Sequence, residues 1–234
     1  MDLKKIFGGI FSLFIWLTVS VLPVSAAQTD VIPRWTAMDT ARQTLIMHSV
    51  DGEAYTVFLI GSGERMGSGT GWAQPGEPVY SGKYHVYISP MGSSRAFQQP
   101  VRIFRTLFEN TGTEEGIIRP YAPHRSGVYV VAGKMGAPDI LVSVQQDTGS
   151  GFYTINLFAI KDGLLQHVDF LNPDHRVFRN YVVGCKPVRY LEDGTLAVYW
   201  WQRKMPHFHI SVYMVDRTNL LASFAYSMED AEGY

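Results

Sequence analysis

The apolar residues of this chain come in short runs that alternate with turn-forming residues. Runs rich in Val, Ile, Tyr, Phe and Trp are separated by clusters of Gly, Pro, Asp and Asn, and no segment keeps a helical period for long. Asp-Gly pairs, which tolerate the positive φ angles of tight hairpin turns, occur at Asp51-Gly52, Asp162-Gly163 and Asp193-Gly194. This pattern predicts an all-β fold built from antiparallel hairpins.

Two stretches of the chain repeat each other. The segment from His124-Arg125 to Lys134 returns as the segment from His175-Arg176 to Lys186, with Tyr-Val-Val at the same place in each. A period of about 50 residues made of short strands is typical of one four-stranded propeller blade. Fainter units precede these two, so quasi-repeats are predicted near residues 28–76, 77–122, 123–173 and 174–227. We therefore predict a small β-propeller of about four antiparallel blades.

Each of the two clear repeats can be divided into strands. In the third unit the predicted strands are Val128–Gly133, Ile140–Gln145, Tyr153–Lys161 and Leu165–Leu171. In the fourth unit they are Asn180–Cys185, Thr195–Gln202, Phe208–Asp216 and Leu220–Ser227. Because short apolar words such as Tyr-Val-Val occur in any β hairpin, a β-sandwich or an open barrel is the alternative prediction.

The N-terminal residues 1–27 have the pattern of a secretory signal peptide. Lys4 and Lys5 precede an apolar run from Ile6 to Leu22, and small residues follow up to Ala27. An uncleaved membrane anchor is the alternative, since the run approaches the roughly 20 residues needed to span a bilayer. We expect export to the periplasm, the cell surface or the medium, with residues 28–234 forming a single all-β domain.

Charge and cysteine content narrow the set of partners. The chain has 20 Lys and Arg against 21 Asp and Glu, so bulk charge favours neither nucleic acid nor an anionic membrane. Cys185 is the only cysteine, which excludes an intramolecular disulfide. We interpret Cys185 as a small buried residue, with an intermolecular or reactive thiol as the alternative.

No motif assigns a reaction, a catalytic residue or a cofactor. The run Gly61–Gly67 follows a predicted strand, but no helix opens after it, so it does not match a nucleotide-binding fingerprint. The Gly-x-Ser-x-Gly motif of serine hydrolases is absent. The adjacent carboxylates at Glu114-Glu115, Glu192-Asp193 and Glu229-Asp230 are typical of solvated turns or tails.

Several residues are candidates for binding. If the repeats surround an axis, one group lies on the face where ligands usually dock and a second group lies near the opposite mouth of the channel, and we expect one of these two rings to bind an anionic group or an acidic partner. The first group is His124, Arg125, His175 and Arg176, and the second is Lys83, Lys134 and Lys186. Repeated turn chemistry explains the same recurrence without a ligand.

Two further candidates come from local sequence. Trp72 lies in a glycine-rich segment, residues 61–78, that we predict to be a flexible loop, and an exposed loop Trp is a contact candidate. His207 and His209 lie on one face of a predicted strand, which is suitable for sharing a metal ion, although an exposed strand start is the simpler interpretation.

The sequence therefore favours an exported, non-catalytic binding or interaction module whose partner is an unidentified extracytoplasmic protein or glycan. The alternative is an exported enzyme that acts on glycans or cell-envelope polymers. A convergent Asp or Glu pair in a cleft would favour the enzyme, whereas an aromatic or basic cleft would favour binding.

Overall fold

The protein is an all-β molecule with two sheets and one short helix, as the sequence predicts. The computed structural model describes residues 30–68, 77–104, 115–146, 153–183, 186–200 and 209–229. The predicted signal segment, Trp72, Cys185 and His207 lie outside these residues. In the described part of the chain, no helix has the length and apolar character needed to cross a membrane.

The first sheet comes from the N-terminal half of the chain. Its strands are β1 (Val31–Pro33), β2 (Ala41–His48), β3 (Ala54–Ser68), β4 (Pro78–Pro90), β5 (Arg95–Gln98) and β6 (Glu115–Ile118). Their order is β1-β5-β4-β3-β2, and β6 also pairs with β4. The helix α1 (Arg34–Thr40) connects β1 to β2 and buries Ala37. One short helical turn of this kind carries too little periodicity to be predicted from sequence.

The second sheet comes from the C-terminal half. Its strands are β7 (Gly127–Val131), β8 (Ile140–Gln146), β9 (Tyr153–Lys161), β10 (Leu164–Leu171), β11 (Val177–Phe178), β12 (Asn180–Val183), β13 (Arg189–Tyr190), β14 (Leu196–Trp200), β15 (His209–Asp216) and β16 (Leu221–Glu229). The order is β13-β14-β15-β16-β10-β9-β8-β7, with β11 on β10 and β12 on β9. These bounds agree closely with the predicted strands of the third and fourth units.

The repeat does not produce the predicted four-bladed propeller. Tyr129 of β7 pairs with Val142 of β8, whereas Tyr181 of β12 pairs with Ile155 of β9, so the repeated tyrosines occupy different places in the sheet. A parallel pairing of β10 with β16 then joins the two meanders into one sheet. The described strands thus form two sheets where the propeller requires a separate sheet for each blade.

The second sheet is nearly closed, like a barrel, because its two end strands approach each other. The backbone N–H of Val188, just before β13, donates to the Tyr129 hydroxyl at 2.9 Å, and the Tyr190 hydroxyl donates to the Pro138 carbonyl at 2.9 Å. Burial raises the pKa of both tyrosines, which keeps the hydroxyls protonated. This geometry is closer to the alternative of an open barrel.

The two sheets share one apolar core. Side chains of the first sheet, including Met47, Val57 and Val86, pack against Leu141 and Phe158 of the second. A separate cluster inside the second sheet holds the alternate residues of the same strands, so β8 and β9 are buried on both faces. Burial on both faces explains why these two strands appear in the sequence as nearly continuous apolar runs.

The prediction of a loop over residues 61–78 was wrong in its first part, because β3 continues to Ser68 and pairs with β4, which begins at Pro78. Residues 69–76 of that segment lie outside the described residues. Glycines lower strand propensity, but here Gly61 and Gly82 leave room for the Glu64 side chain, which a β-carbon on either would meet within about 3.2 Å.

Candidate functional site

A cleft opens where hairpin loops of the two sheets meet. Its volume is about 690 Å³, and we call it the inter-sheet cleft. The first sheet contributes the β2–β3 turn, and the second contributes the β7–β8 loop together with the β9–β10 and β15–β16 turns. The lining residues are His48, Ser49, Val50, Asp51, Gly52, Gly133, Gly136, Ala137, Pro138, Asp139, Lys161, Asp162, Arg217 and Thr218.

Two of the turns that form the cleft follow from Asp-Gly pairs in the sequence. Asp162 and Gly163 both have positive φ angles, of 53° and 71°, as a two-residue hairpin turn requires, and Lys161 pairs with Leu164 across it. Gly52 has a φ of 88° in the β2–β3 turn. The backbone N–H of Val50 donates to the Ile160 carbonyl at 2.9 Å, which fixes one hairpin against the other.

Asp139 is the side chain that organises the cleft. Its Oδ2 accepts from the backbone N–H of His48 at 2.7 Å and contacts His48 Nδ1 at 3.0 Å, while its Oδ1 accepts from the Gly133 N–H at 2.7 Å. A carboxylate can only accept hydrogen bonds, so the contact requires a proton on Nδ1. In the neutral imidazole, Nε2 is then left as an acceptor on a side chain that is 56% exposed.

The loop after β7 folds back so closely that residue 133 lies against the Ala137 carbonyl, which is possible because Gly133 has no side chain. A β-carbon on Gly133 would lie 2.0 Å from the Ala137 carbonyl oxygen, which no real contact permits. The same glycine donates its N–H to Asp139. The cleft wall therefore depends on a glycine at position 133.

The cleft contains charges of both signs. The Lys161 ammonium group donates a hydrogen bond to the Thr218 carbonyl, and this bond holds the lysine side chain against the β15–β16 turn. Arg217 lies in that turn and is exposed, and it forms no ion pair with another residue of the described chain. Asp51 and Asp162 are exposed in the two opposing hairpin turns. A ligand here meets a cation, two carboxylates and an oriented imidazole.

The two predicted His-Arg pairs have different surroundings. His124 and Arg125 are half-buried in the loop before β7, where burial and then the nearby Arg125 lower the pKa of His124 despite an opposing effect of Glu77. His175 and Arg176 are exposed, and His175 has a φ of 60°. Arg176 forms an ion pair with Asp174 at 3.2 Å.

The three predicted lysines have different neighbours. Lys134 forms an ion pair with Glu192 at 2.9 Å, and Lys186 lies 5.4 Å from the centroid of the Tyr199 ring. Lys83 lies on β4 of the other sheet, where it lines a second cavity. These contacts show no common centre for the three lysines, so their arrangement in a ring remains a prediction.

The predicted histidine metal pair can be described only at one of its members. His209 begins β15, and its ring stacks on Trp200 with centroids 4.7 Å apart and planes inclined by 25°. His207 lies outside the described residues. Within the described ranges, no group of three or more His, Cys, Asp or Glu side chains is arranged to hold a metal ion.

His48 and Asp139 were not predicted as functional residues from the sequence, because they are 91 positions apart in the chain. The available signals were Asp139 just before a predicted strand and Gly133 in the repeat, and neither indicates a partner in the other half of the chain.

No protein-family model matches the chain, and neither a curated protein nor a solved structure shows significant similarity to it.

Proposed function

We propose that the protein is a non-catalytic binding module that takes a polar ligand into the inter-sheet cleft. The observation that supports this most is the size and lining of the cleft. A volume of about 690 Å³ is within the range of small-molecule sites, and polar loops from both sheets surround it. The rigid strands beneath those loops suit a preformed site.

The lining indicates which ligands fit. Among the described lining residues the only ring able to stack is the His48 imidazole, so flat sugar faces have little to stack on. Arg217 offers a forked donor for a carboxylate or phosphate, while Asp51 and Asp162 can accept from hydroxyl or ammonium groups. Peptides, which carry donors, acceptors and both charges, therefore fit this lining better than unbranched glycans do.

A binding screen tests this proposal. The probes are chitooligosaccharides, cellooligosaccharides, and short peptides of acidic and basic composition, with saturation-transfer NMR and calorimetry as readouts. We expect a peptide class to bind, and Arg217→Ala and His48→Ala each to weaken it about fivefold or more. Arg189→Ala, at an exposed arginine of β13 outside this cleft, is the matched control and should bind as the wild type does. No binding in any class, or equal weakening in the control, rejects the proposal.

An enzyme acting on glycans or cell-envelope polymers is the second candidate. The observation that favours it is the exposed His48 imidazole held by a carboxylate, an arrangement suited to a general base. The same oligosaccharides and purified cell-wall polymer, incubated with wild type and His48→Ala, separate the two candidates. Release of new chain ends by the wild type alone would reject the binding-module proposal and support the enzyme.

We further propose that the protein functions outside the cytoplasm, on the strength of the N-terminal sequence pattern. Cell fractionation and N-terminal sequencing test this. A mature chain that begins at Ala27 or Gln28 supports export and cleavage, and a cytoplasmic chain that retains Lys4 and Lys5 rejects it.

A further inference from the structure

A second cavity lies on one face of strands β3, β4 and β6, and its described lining residues differ from those of the inter-sheet cleft. Its volume is about 540 Å³. The side chains form two rows across the three strands, because paired residues share a face. One row is Ser62, Lys83 and Glu115, and the other is Arg65, Ser81 and Ile117. Gln145 from the second sheet completes the lining.

A β-bulge places the two cations on the same face. The pairing of β3 with β4 shifts between Ser62 and Arg65, so that Ser62 pairs with Lys83 and Arg65 pairs with Ser81. Gly63, with a φ of 62°, permits this shift. Since Ser81 and Lys83 are two residues apart on one strand, Arg65 and Lys83 are diagonal neighbours with β-carbons roughly 7 Å apart. Side chains of that length can reach one group held between them.

Glu64, the acidic residue next to Arg65 in the sequence, is bonded to Arg42 and not to the two cations of the cavity. Both carboxylate oxygens of Glu64 accept from Arg42 Nε, at 3.0 and 3.1 Å, and Glu64 is not part of the cavity lining. Arg42 in turn lies over the Tyr80 ring at 3.9 Å. The Arg42 hydrogen bonds hold the pKa of the Glu64 carboxyl below its usual value. Glu64 therefore stays ionised and bonded to Arg42.

The cavity keeps an excess of positive charge. Neither Arg65 nor Lys83 forms an ion pair with another residue that the structure describes. Glu115, opposite Lys83 in the pairing of β4 with β6, is the one carboxylate among the lining residues that the structure describes. The Ser62 and Ser81 hydroxyls and the Gln145 amide add neutral donors.

We propose that this cavity binds an oxyanion, a phosphate or a carboxylate group of a small ligand, between Arg65 and Lys83. The guanidinium of Arg65 presents two parallel N–H groups that match either oxyanion, and Lys83 adds a compact positive charge. Glu115 opposes the anion and sets a modest affinity. The site does not depend on the inter-sheet cleft, because the two cavities have no described lining residue in common.

Titration with inorganic phosphate and with citrate, in calorimetry and in amide NMR spectra, tests this site. We expect saturable binding of at least one probe, with shifts confined to β3, β4 and β6. Arg65→Ala and Lys83→Ala should each weaken it about tenfold. Glu115→Gln should strengthen it severalfold, because a repulsive charge is removed. Whichever probe binds more tightly identifies the group as phosphate or carboxylate.

Arg189→Ala, at an exposed arginine of β13 that lines neither cavity, is the matched control and should bind the probes as the wild type does. All four altered side chains are at the surface, and unchanged circular dichroism and melting midpoints will show that the variants are folded. If neither phosphate nor citrate saturates the protein up to about 10 mM, the site is overturned. Equal weakening in Arg189→Ala, or a Glu115→Gln variant that binds no better, overturns it as well. Failure of the peptide screen in the inter-sheet cleft would leave both of these outcomes unchanged.

Discussion

The Asp139 carboxylate connects the two halves of the molecule through three donors. It accepts from the backbone and ring of His48 in the first sheet and from Gly133 in the second. Its side chain is only 12% exposed, so water cannot readily replace these donors. One residue thus fixes both the wall of the inter-sheet cleft and the orientation of its imidazole.

Replacing Asp139 should therefore lower stability. We expect Asp139→Ala to lose about 2 to 3 kcal/mol of the free energy of unfolding, because two backbone N–H groups lose their charged acceptor. Urea unfolding measures this loss. Asp51→Ala, an exposed turn carboxylate of the same cleft, should change stability by about 0.5 kcal/mol or less. Equal losses in the two variants would mean that Asp139 has no special role.

Glu64 gives the protein a dependence on acid pH whose sign can be stated. The folded-state pKa of Glu64 is lowered, chiefly by the hydrogen bonds from Arg42. The unfolded chain, with a carboxyl pKa of about 4.3, therefore takes up a proton first as the pH falls. The stabilisation is complete above that value and is lost as the pH decreases through the folded-state pKa.

A substitution at Glu64 isolates this effect. At pH 6, Glu64→Gln should be about 1 kcal/mol less stable than the wild type, and the difference should narrow towards pH 3. Urea midpoints across that range provide the measurement. Glu192→Gln, in the exposed pair with Lys134, should differ little from the wild type at any of these pH values. If the stability difference between Glu64→Gln and the wild type stays constant with pH, the pH dependence does not come from Glu64.

At the scale of elements, the hairpins are what the sequence predicts best. Asp162-Gly163 and Asp193-Gly194 mark turns that the structure contains, and the predicted strand Tyr153–Lys161 has the observed bounds. Such signals are local, since turn chemistry and apolar runs act over a few residues. The parallel pairing of β10 with β16 and the position of β12 beside β9 depend on tertiary packing, and no local signal marks them.

The β9–β10 turn offers a direct test of turn chemistry. Gly163→Ala should destabilise the protein by about 1 kcal/mol, because an L residue at a φ of 71° is strained. Asp162→Asn is the control, since Asn also tolerates positive φ and should leave stability nearly unchanged. Chemical denaturation of both variants gives the comparison. If Gly163→Ala leaves the free energy of unfolding unchanged, the positive φ at this position does not constrain the turn.

At the scale of the whole molecule, the shared core implies that the two sheets unfold together. Phe158 is fully buried in the second sheet and packs in the cluster that contains Met47 and Val86 of the first. Large side chains at such a junction contribute to the stability of both sides. Of the residues proposed for the two cavities, Lys83 alone was predicted from the sequence, since His48 comes beside Asp139, and Arg65 comes near Lys83, only after the strands pair.

Phe158→Ala tests this coupling. We expect a loss of about 3 to 5 kcal/mol, with amide protons of β3 and of β14 losing protection against exchange to the same extent. Hydrogen exchange followed by NMR makes the measurement. Ile46→Ala, at a side chain that is 59% exposed, is the control and should cost far less. Loss of protection in the second sheet alone would show that the halves are independent.

The contact between Tyr129 and Val188 has a further consequence for how the protein behaves in concentrated solution. Because the two end strands of the second sheet approach each other there, they shield each other's edges from a strand of another molecule. In the first sheet, β2 forms a backbone ladder with β3 alone among the described strands, and side-chain hydrogen bonds join its other side to the second sheet, from Gln43 to the Val128 carbonyl and from the His48 N–H to Asp139. We expect self-association to start there, and Ile46→Lys to slow the rise of light scattering during refolding at micromolar protein. Charge on β2 should therefore do more to keep the concentrated protein in solution than charge on any strand of the second sheet.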